Sequence, residues 1–398
     1  MICSVAKHSI LLLNVALLSV QLSAQTPAPS STMASAAAKV LMPYVQKEAS
    51  WAMEQLPVTV TASTSSRSSG GKHDFFSEGD YWWPDDKNPS GPYIRRDGLT
   101  NPANFTFHRD ALIHFSQLSG ALASAYVLTN DNKYAQKLAQ HLKAWFVNED
   151  TKMNPNLLYA QAIKGVATGR GIGIIDTVHL VEVTKAIHAI ENSGVLSVSD
   201  LATVKLWFSN YLNWITTHEY GIAERDNGNN HSVCWTMQVA AFADLIGDEK
   251  TMDFCRNFYK YTLLPNQMEK DGSFPLELKR TKPYGYSLFN LDAMTSICQI
   301  LSTKKDNLFV FTTSDGKNIE LGIKFMFPYI ENKSLWKYQH DVMYWDEWPV
   351  RQSSLLFGGL AFKNKKYIEL WKSLNANFTT PEIVRNMPVR NPVLWVIK

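Results

Sequence analysis

The sequence predicts an all-α fold in which helical hairpins follow one another into an (α/α) toroid, an incomplete barrel of helices. From His108 onward, apolar residues recur with the 3.6-residue period of amphipathic helices. Most connectors between these segments are short, which favours antiparallel neighbours. Hairpins stacked in sequence can bend into a ring whose inner helices begin around a cleft. A long aromatic loop before the first helical hairpin is expected to act as a lid over this cleft.

The periodic segments can be followed along the chain. Pro43 lies inside the first of them and either kinks that helix or marks its start. Two β-rich stretches, 58–60 and 308–311, could form short strands. The predicted helices are 36–56, 108–128, 131–147, 172–193, 198–217, 230–246, 249–268, 286–303 and 316–331, with shorter ones near 355–361 and 365–374.

The composition is that of a globular protein. Of 398 residues, 45% are apolar and 19% are charged. The net charge of +3 argues against nucleic-acid binding by a general basic field, but it permits local basic sites for an acidic ligand. Aromatic residues make up 12% of the chain, which suits stacking on carbohydrate, although a helical core could also absorb them. We expect a monomer or weak oligomer.

The N-terminus has the pattern of an export signal. Lys7 and His8 precede an apolar run, 10–20, and Leu22-Ser23-Ala24 offers a cleavage site with small residues. The run is too short for an ordinary membrane span. We therefore predict a signal peptide over residues 1–24, a single toroid domain over residues 25–398, and a periplasmic or secreted protein without a membrane span.

The cysteines left after cleavage are Cys234, Cys255 and Cys298, and each lies in a helix-like apolar pattern. An odd number in such surroundings predicts buried thiols and not a disulfide framework. No Cys/His spacing resembles a zinc site. We expect neither a metal nor another cofactor.

Residues 79–98 form a proline- and glycine-rich stretch that is too interrupted for a helix. Trp82 and Trp83 could stack on sugar faces, and Arg96 could bind a carboxylate. The alternative is that the tryptophans simply pack on the helices, and the sequence leaves both interpretations open. A second polar connector, 154–173, could line the cleft through Gln161, whereas Arg170 could equally be a structural bridge beneath it.

The stretch 224–235 is a polar run with a glycine turn that leads directly into an apolar-periodic segment. Asn230 is a natural N-cap, so His231 would lie in the first helical turn, where backbone N–H groups and the helix dipole favour an anion. Together with Asn229, these side chains could hold a carboxylate. A capped helix with a surface histidine is the simpler interpretation of this stretch alone.

A second helix start carries the complementary groups. Arg280 precedes Tyr284 and Tyr286, which lie at the beginning of an apolar segment. In a toroid, this helix start and that of His231 can face one cleft. A cation, a carboxamide, an imidazole and a phenol, without paired carboxylates, suit β-elimination from a uronic acid better than glycoside hydrolysis. Tyr284 is a further candidate for substrate binding.

These segments resemble the alginate lyases with helical toroid folds. The resemblance is carried by Asn229-Asn230-His231, by Arg280, by the stretch from Tyr286 to Leu291, and by the runs that begin at Tyr81 and Asn154, and it extends from about Gly79 to Gln352. It implies that Asn230 and His231 neutralise the substrate carboxylate, that Arg280 assists, and that Tyr286 is the acid and base. Lys282 could take the place of Arg280. A further arginine could be Arg95, Arg96 or Arg109.

The leading hypothesis is therefore an exported lyase acting on an acidic polysaccharide, with mannuronate-containing alginate as the expected substrate. A lyase for glucuronan or another glucuronate polymer is a close alternative. A polysaccharide-binding protein without activity and an (α/α) glycoside hydrolase are alternatives of other kinds.

Overall fold

The computed structural model describes residues 31–396. The predicted signal peptide, residues 1–24, lies outside the described residues. Helices account for most of this part of the chain: α1 Ser31–Glu54, α2 Phe107–Thr129, α3 Asn132–Phe146, α4 Leu180–Ile190, α5 Val198–Thr217, α6 Glu219–Arg225, α7 Asn230–Ile246, α8 Glu249–Phe258, α9 Leu264–Gln267, α10 Pro275–Leu278, α11 Pro283–Leu301, α12 Ile319–Glu331, α13 Ser353–Ala361, α14 Lys365–Ser373, α15 Pro381–Arg385 and α16 Val393–Val396.

The inner layer consists of α2, α4, α7, α11 and α13, each of which packs against the next. Helices α7 and α11 are buried on nearly all sides, because inner neighbours and outer helices surround them. The outer layer, with α1, α3, α5, α8, α12 and α14, packs against the inner one. This arrangement confirms the predicted all-α toroid.

Helix α2 is the one helix in residues 31–396 that is long and apolar enough to cross a membrane by length and composition. In the fold, 72% of its apolar window is buried. It packs against α1, α3 and α4, so its apolar surface is covered by protein. The three cysteines in the described chain, Cys234, Cys255 and Cys298, are free and buried, as predicted.

Two predicted helices contain interruptions with a physical cause. Segment 172–193 begins as a 3-10 helix, Gly171–Thr177, before α4. Gly173 in it lies so close to the backbone of Ala160 that a Cβ atom would stand 2.6 Å from the carbonyl oxygen. Segment 249–268 contains a π-helical turn, Tyr259–Leu263. Pro265, which follows this turn, has no N–H to continue the regular hydrogen-bond ladder.

The predicted strands are wrong. Residues 60–62 form a 3-10 turn, and 308–311 contain no strand. The strands of the described chain are β1 Phe76–Glu78, β2 Trp82–Trp83, β3 Ile94–Arg95 and β4 Tyr159–Ala162, with β1 parallel to β4 and β2 antiparallel to β3. The aromatic loop is therefore a short hairpin, which we call the aromatic hairpin (residues 79–98).

Residues 375–396, which we call the C-terminal segment, were not predicted to be helical, although they complete the wall of the cleft. Buried Glu182 of α4 accepts hydrogen bonds from the backbone N–H groups of Arg390 at 2.9 Å and Asn391 at 2.7 Å. Helix α16 then packs against α2 and α4. These contacts anchor the segment on the inner layer, so that the preceding helix α15 reaches the mouth of the ring.

Candidate active site

A cleft with a volume of about 330 Å³ opens where the inner helices begin. Its walls come from the aromatic hairpin, β4, the starts of α7 and α11, and helix α15. Its polar lining consists of Asp80, Tyr81, Trp82, Arg95, Gln161, Arg170, Asn227, Asn229, Asn230, His231, Arg280, Tyr286, Glu382, Arg385 and Asn386.

Tyr286 lies in the first turn of α11, which begins at Pro283. Its hydroxyl shares a 2.7 Å hydrogen bond with the hydroxyl of Tyr81 and accepts another, of 3.1 Å, from Nη2 of Arg280. The Arg280 guanidinium also lies 4.1 Å from the centre of the Tyr286 ring. A cation and a second phenol thus surround the phenolic oxygen.

The protonation of Tyr286 reflects opposing influences. Burial raises the pKa of Tyr286 well above its ordinary value, and Tyr81 adds to the rise. The nearby cations Lys282 and Arg280 lower it, because they favour the phenolate. In the empty cleft, Tyr286 therefore keeps its proton, while the charges that would stabilise its anion already lie beside it.

His231 lies in the first turn of α7. The N-cap of this helix is Asn229 and not the predicted Asn230: its Oδ1 accepts a 3.0 Å hydrogen bond from the backbone N–H of His231. The Nδ1 atom of His231 lies 2.8 Å from Oε1 of Glu224, which is fully buried. Since Nδ1 is occupied, Nε2 is the nitrogen available to a ligand.

Glu224 is a buried carboxylate, and only one of its two oxygens is hydrogen-bonded. Its Oε2 has no hydrogen-bond partner among the described residues. Burial raises the pKa of Glu224, and the neighbouring His231 opposes the rise because a positive imidazole favours the carboxylate. Glu224 therefore fixes the orientation of the cleft histidine from a position that solvent does not reach.

Asn230 is positioned in a similar way by Glu277. The backbone N–H of Asn230 donates to Oε1 at 2.8 Å, and its Nδ2 donates to Oε2 at 2.7 Å. Asn230 is 1% exposed, and its Oδ1 has no partner among the described residues. One N–H of the carboxamide remains for a ligand, because Glu277 takes only one.

Buried charges form the floor of the cleft. Asp80 accepts from Arg109 at 2.8 Å and pairs with Arg385 at 2.9 Å. Arg385 also contacts Glu382 at 3.3 Å, and Glu382 pairs with Lys282. Burial alone would raise the pKa of Asp80, but the two arginines lower it below its ordinary value. These carboxylates are therefore ionised and already paired.

One side wall combines an aromatic ring with an arginine. Arg170 lies 5.7 Å from the ring centre of Trp82, and its Nε donates to the carbonyl of Gln161 at 2.8 Å. Arg170 has no carboxylate within 4.0 Å among the described residues, and burial lowers its pKa to about 10. Gln161 has a left-handed backbone with φ of 49°, which is rare outside glycine.

Comparison with known proteins adds a decisive observation. A family model described as alginate lyase matches residues 59–336, more than half of the 398-residue chain. The chain belongs to the alginate lyase family. It is thus a polysaccharide lyase of the alginate lyase type. A search of curated proteins found no match.

Solved structures show the same architecture. A crystal structure of an alginate lyase from Bacteroides ovatus has a TM-score of 0.78 and 29% identity, and the match covers 94% of this chain and 100% of that one. Alginate lyase A1-III from Sphingomonas species A1 has a TM-score of 0.57 and 14% identity, with 88% and 94% covered. At such low identity, the second likeness shows the fold alone.

The cleft of this alginate lyase contains most residues of the predicted site. Asn229, Asn230, His231, Arg280 and Tyr286 all line it. Trp82 and Gln161, predicted to bind substrate, line it as well. Arg280 contacts the Tyr286 hydroxyl, whereas Lys282 is 4% exposed and pairs with Glu382, so the geometry favours Arg280 over Lys282 as the partner of Tyr286.

Three predicted binding residues lie elsewhere, which corrects their assignment. Tyr284 is fully buried, and its hydroxyl donates to the carbonyl of Tyr329 at 3.0 Å. Trp83 donates its indole N–H to the carbonyl of Leu99. Arg96 lies 5.3 Å from the ring centre of Trp83 and pairs with Asp86. In the aromatic hairpin, neighbouring side chains point to opposite faces, so Trp82 and Arg95 line the cleft while Trp83 and Arg96 face away.

Several groups that lie behind the cleft-lining residues were not predicted from the sequence. Glu224 and Glu277 were given no role, although Glu224 lies within the polar run that contains His231. A carboxylate separated from a helix-start histidine by one glycine turn is the signal that would have pointed to it. Glu382 and Arg385 lie far along the chain in a five-residue helix, for which the sequence offers no comparable signal.

Metal binding was not expected, and this remains a prediction. Among the described residues, no group of three or more His, Cys, Asp or Glu side chains has an arrangement that could hold a metal ion. What the cleft offers is a set of hydrogen-bond donors and cations around a phenol. This arrangement can bind a carboxylate and exchange a proton beside it.

Proposed function

We propose that this alginate lyase cleaves mannuronate-containing polymer by β-elimination. In this mechanism, Asn230, His231 and Arg280 bind the carboxylate of the sugar to be cleaved, and Tyr286 moves the proton. The observation that carries the proposal is the hydroxyl of Tyr286, which lies 3.1 Å from Arg280 in the same cleft as the imidazole of His231.

The difficult step is removal of the proton at C5, which is only weakly acidic. When it leaves, negative charge spreads onto the neighbouring carboxylate and gives an enolate-like dianion. Preorganised donors at that carboxylate stabilise this charge more than they stabilise the ground state. The free N–H of Asn230 and the Nε2 of His231 suit this role, because Glu277 and Glu224 fix the other sides of these groups.

Tyr286 is assigned both proton transfers. In mannuronate and glucuronate, the C5 hydrogen and the O4 leaving group lie on the same face, so one phenol can serve both. The phenol first loses its proton to solvent. The phenolate then removes the C5 proton, the C4–O4 bond breaks, a C4–C5 double bond forms, and the phenol returns the proton to O4. Arg280 and Lys282 favour the phenolate against the effect of burial.

The remaining polymer would lie along the side wall. The ring of Trp82 offers a face for a sugar, and the guanidinium of Arg170 lies beside it without a carboxylate partner in residues 31–396. We assign Arg170 to the carboxylate of a neighbouring uronate. Its contacts with Gln161 hold it in place.

Hydrolysis by paired carboxylic acids fits this cleft poorly. The carboxylates of the lining, Asp80 and Glu382, are both bound to cations. Glu224 and Glu277 lie behind His231 and Asn230. None of these four is free to protonate a glycosidic oxygen on one side of a sugar while another acts on the opposite side.

We also propose that the protein is exported to the periplasm or beyond the cell. The proposal rests on the basic residues, apolar run and small-residue site within residues 1–24. Its polymeric substrate would be met outside the cytoplasm.

The test is ultraviolet absorbance at the band of the 4,5-unsaturated uronate, measured while purified protein acts separately on polymannuronate, polyguluronate, glucuronan and hyaluronan. We expect the absorbance to rise fastest on polymannuronate. A preference for glucuronan would keep the elimination but change the substrate. If absorbance rises on none of the four, the proposed reaction is wrong.

A further inference from the structure

A groove on the outer surface lies between α1, α2 and the C-terminal segment, away from the cleft. It has a volume of about 370 Å³ and continues inward to a small pocket of about 30 Å³. Tyr44, Phe378 and Arg390 line both, so the two spaces are continuous. We call them the outer groove and the inner pocket.

The inner pocket contains Arg351 without an acidic partner. Nη2 of Arg351 donates to the carbonyl of Lys372 at 3.1 Å, and its guanidinium lies 5.0 Å from the ring centre of Trp371. Its Nε is buried and has no hydrogen-bond partner among the described residues. The guanidinium therefore has donors left over, and they are shielded from bulk water.

Arg390 is a second cation in the same pocket. It donates to the carbonyls of Met387 at 3.0 Å and Val384 at 2.9 Å, and it lies 5.2 Å from the ring centre of Phe378. Neither Arg351 nor Arg390 has a carboxylate within 4.0 Å in residues 31–396. Burial lowers the pKa of both, and the nearby Glu182 and Glu48 oppose this effect at Arg390. Arg351 has no such acidic neighbour among the described residues, so an anion in the pocket would offset the desolvation of the two cations.

Tyr44 supplies a neutral donor. Its hydroxyl has no hydrogen-bond partner among the described residues, and burial raises its pKa to about 12, so it stays protonated. The inner pocket has no acidic residue in its lining. Its 30 Å³ is room for about two water-sized atoms, which matches the two oxygens of a carboxylate.

The outer groove suits the body of the same ligand. Trp51, Tyr44 and Phe378 provide aromatic surface at its wall, while Lys47, Glu48 and Asp110 provide polar groups at the rim. Aromatic surface beside polar groups suits a sugar ring, which has apolar faces and hydroxyl edges. A purely ionic ligand would leave this part of the groove unused.

We propose that the outer groove and inner pocket form a second, non-catalytic binding site for a uronate residue of the polymer. Its carboxylate would bind Arg351, Arg390 and Tyr44, and its ring would lie against the aromatic wall. The identity of the ligand rests on the proposed function. Helix α15 separates this site from the cleft, with Pro381 and Val384 on one side and Glu382 and Arg385 on the other. The separation is thus about one helix diameter, on the order of 10 Å, and one polymer can contact both sites.

The test compares Arg351→Met with the parent chain. Methionine keeps much of the packing against Trp371 but removes the charge. Arg256→Met is the matched control, since Arg256 is also largely buried and donates to a backbone carbonyl, that of Leu301, but lies outside both sites. The probe is a mannuronate oligosaccharide prepared by acid hydrolysis of polymannuronate, and each protein in the binding experiment also carries Tyr286→Phe, so turnover does not interfere. Binding stoichiometry is measured by calorimetry, and melting temperature shows whether each variant is folded.

We expect two equivalents bound by the parent and Arg256→Met, and one by Arg351→Met. On long polymer, Arg351→Met should raise KM several-fold with kcat unchanged, and on a trisaccharide it should change neither. One equivalent in all three proteins, or an acidic peptide that binds the groove as tightly as the oligosaccharide, would overturn the inference. If the absorbance assay fails but two equivalents still bind, the second site stands and the proposed elimination does not.

Discussion

At the scale of single residues, two of the three proposed donors for the substrate carboxylate are backed by a buried glutamate. Glu224 lies behind His231, and Glu277 lies behind Asn230. A carboxylate hydrogen-bonded to one side of an imidazole fixes the ring and stabilises its charged form. The two proposed donors are therefore held by residues that lie behind them and do not line the cleft.

Glu224→Gln tests this arrangement. A carboxamide is a weaker hydrogen-bond partner for Nδ1 of His231 than the carboxylate, so the imidazole is held less firmly. We expect kcat/KM to fall about a hundredfold, the usual scale for an acid–base group. The measurement is kcat/KM on polymannuronate, with the melting temperature as the check on folding.

Asp292→Asn is the matched control for that change. Asp292 is also a buried carboxylate, but it accepts hydrogen bonds from the backbone N–H groups of Ser353 and Ser354, away from the cleft. Its substitution should lower the melting temperature and leave kcat/KM nearly unchanged. Equal losses of kcat/KM in the two variants would contradict a role for Glu224 in positioning His231.

The proposed catalytic residues could be predicted from the sequence, but the residues that position them could be predicted only in part. Asn230, His231, Arg280 and Tyr286 stand in recognisable runs at two helix starts. Trp83 and Arg96 were assigned to the cleft wrongly because the alternation within the aromatic hairpin depends on strand pairing, which its proline and glycine residues conceal. Arg385 meets Asp80 only through the folded ring.

At the scale of elements, helix starts position the side chains that we propose to be reactive. The start of α7 is capped by Asn229, and the start of α11 is held by Asp341, which accepts from the backbone N–H groups of Tyr284 at 2.8 Å and Gly285 at 2.9 Å. Apolar periodicity predicted both helices. The predicted N-cap of α7 was one residue too late, and the predicted start of α11 was three residues too late. Apolar periodicity does not show which carboxylate or carboxamide caps the first turn of a helix.

Asn229→Ala measures what the cap of α7 contributes. Loss of the N-cap should cost about 1 kcal/mol of the free energy of unfolding. Because His231 occupies the first turn, kcat should also fall several-fold. Asn318→Ala is the matched control: Asn318 caps α12 through the N–H of Leu321 at 3.2 Å, outside the cleft. Equal kcat losses in the two variants would contradict an aiming role for the α7 start.

At the scale of the whole molecule, the toroid buries several ionisable groups between its helices. His141 on α3 is fully buried, and neither ring nitrogen has a hydrogen-bond partner among the described residues. Burial lowers its pKa to about 4. The folded state therefore favours the neutral ring, and stability is lost as pH falls below the unfolded value of about 6.5.

His141→Leu should reduce this acid sensitivity. Between pH 7 and pH 5, the parent should lose about 2 kcal/mol more of its free energy of unfolding than the variant, at about 1.4 kcal/mol per unit below the unfolded pKa. Urea unfolding at both pH values measures the difference. The pKa of His188 is raised by Asp244 and Glu191 despite its burial, so His188→Gln should change acid sensitivity in the opposite direction. Identical pH dependence of the parent and His141→Leu would refute the account.

The ring of hairpins followed from periodicity and short connectors, but its completion by the C-terminal segment did not. Helices α15 and α16 are too short for a periodic pattern, and their position is set by Glu182 on α4 and by the ion pairs of Glu382 and Arg385. Such contacts join residues that are far apart in the sequence and have no local signature.

The most direct test of the proposed mechanism compares Tyr286→Phe with Tyr284→Phe. Both tyrosines lie in the first turn of α11, and each variant loses one hydroxyl. Formation of the 4,5-unsaturated uronate from polymannuronate is followed for both, together with oligosaccharide binding. We predict that Tyr286→Phe loses turnover but still binds, and that Tyr284→Phe, whose hydroxyl donates to the carbonyl of Tyr329, loses about 1 kcal/mol of stability and keeps its rate. Near-normal turnover by Tyr286→Phe would contradict its assignment as the acid and base.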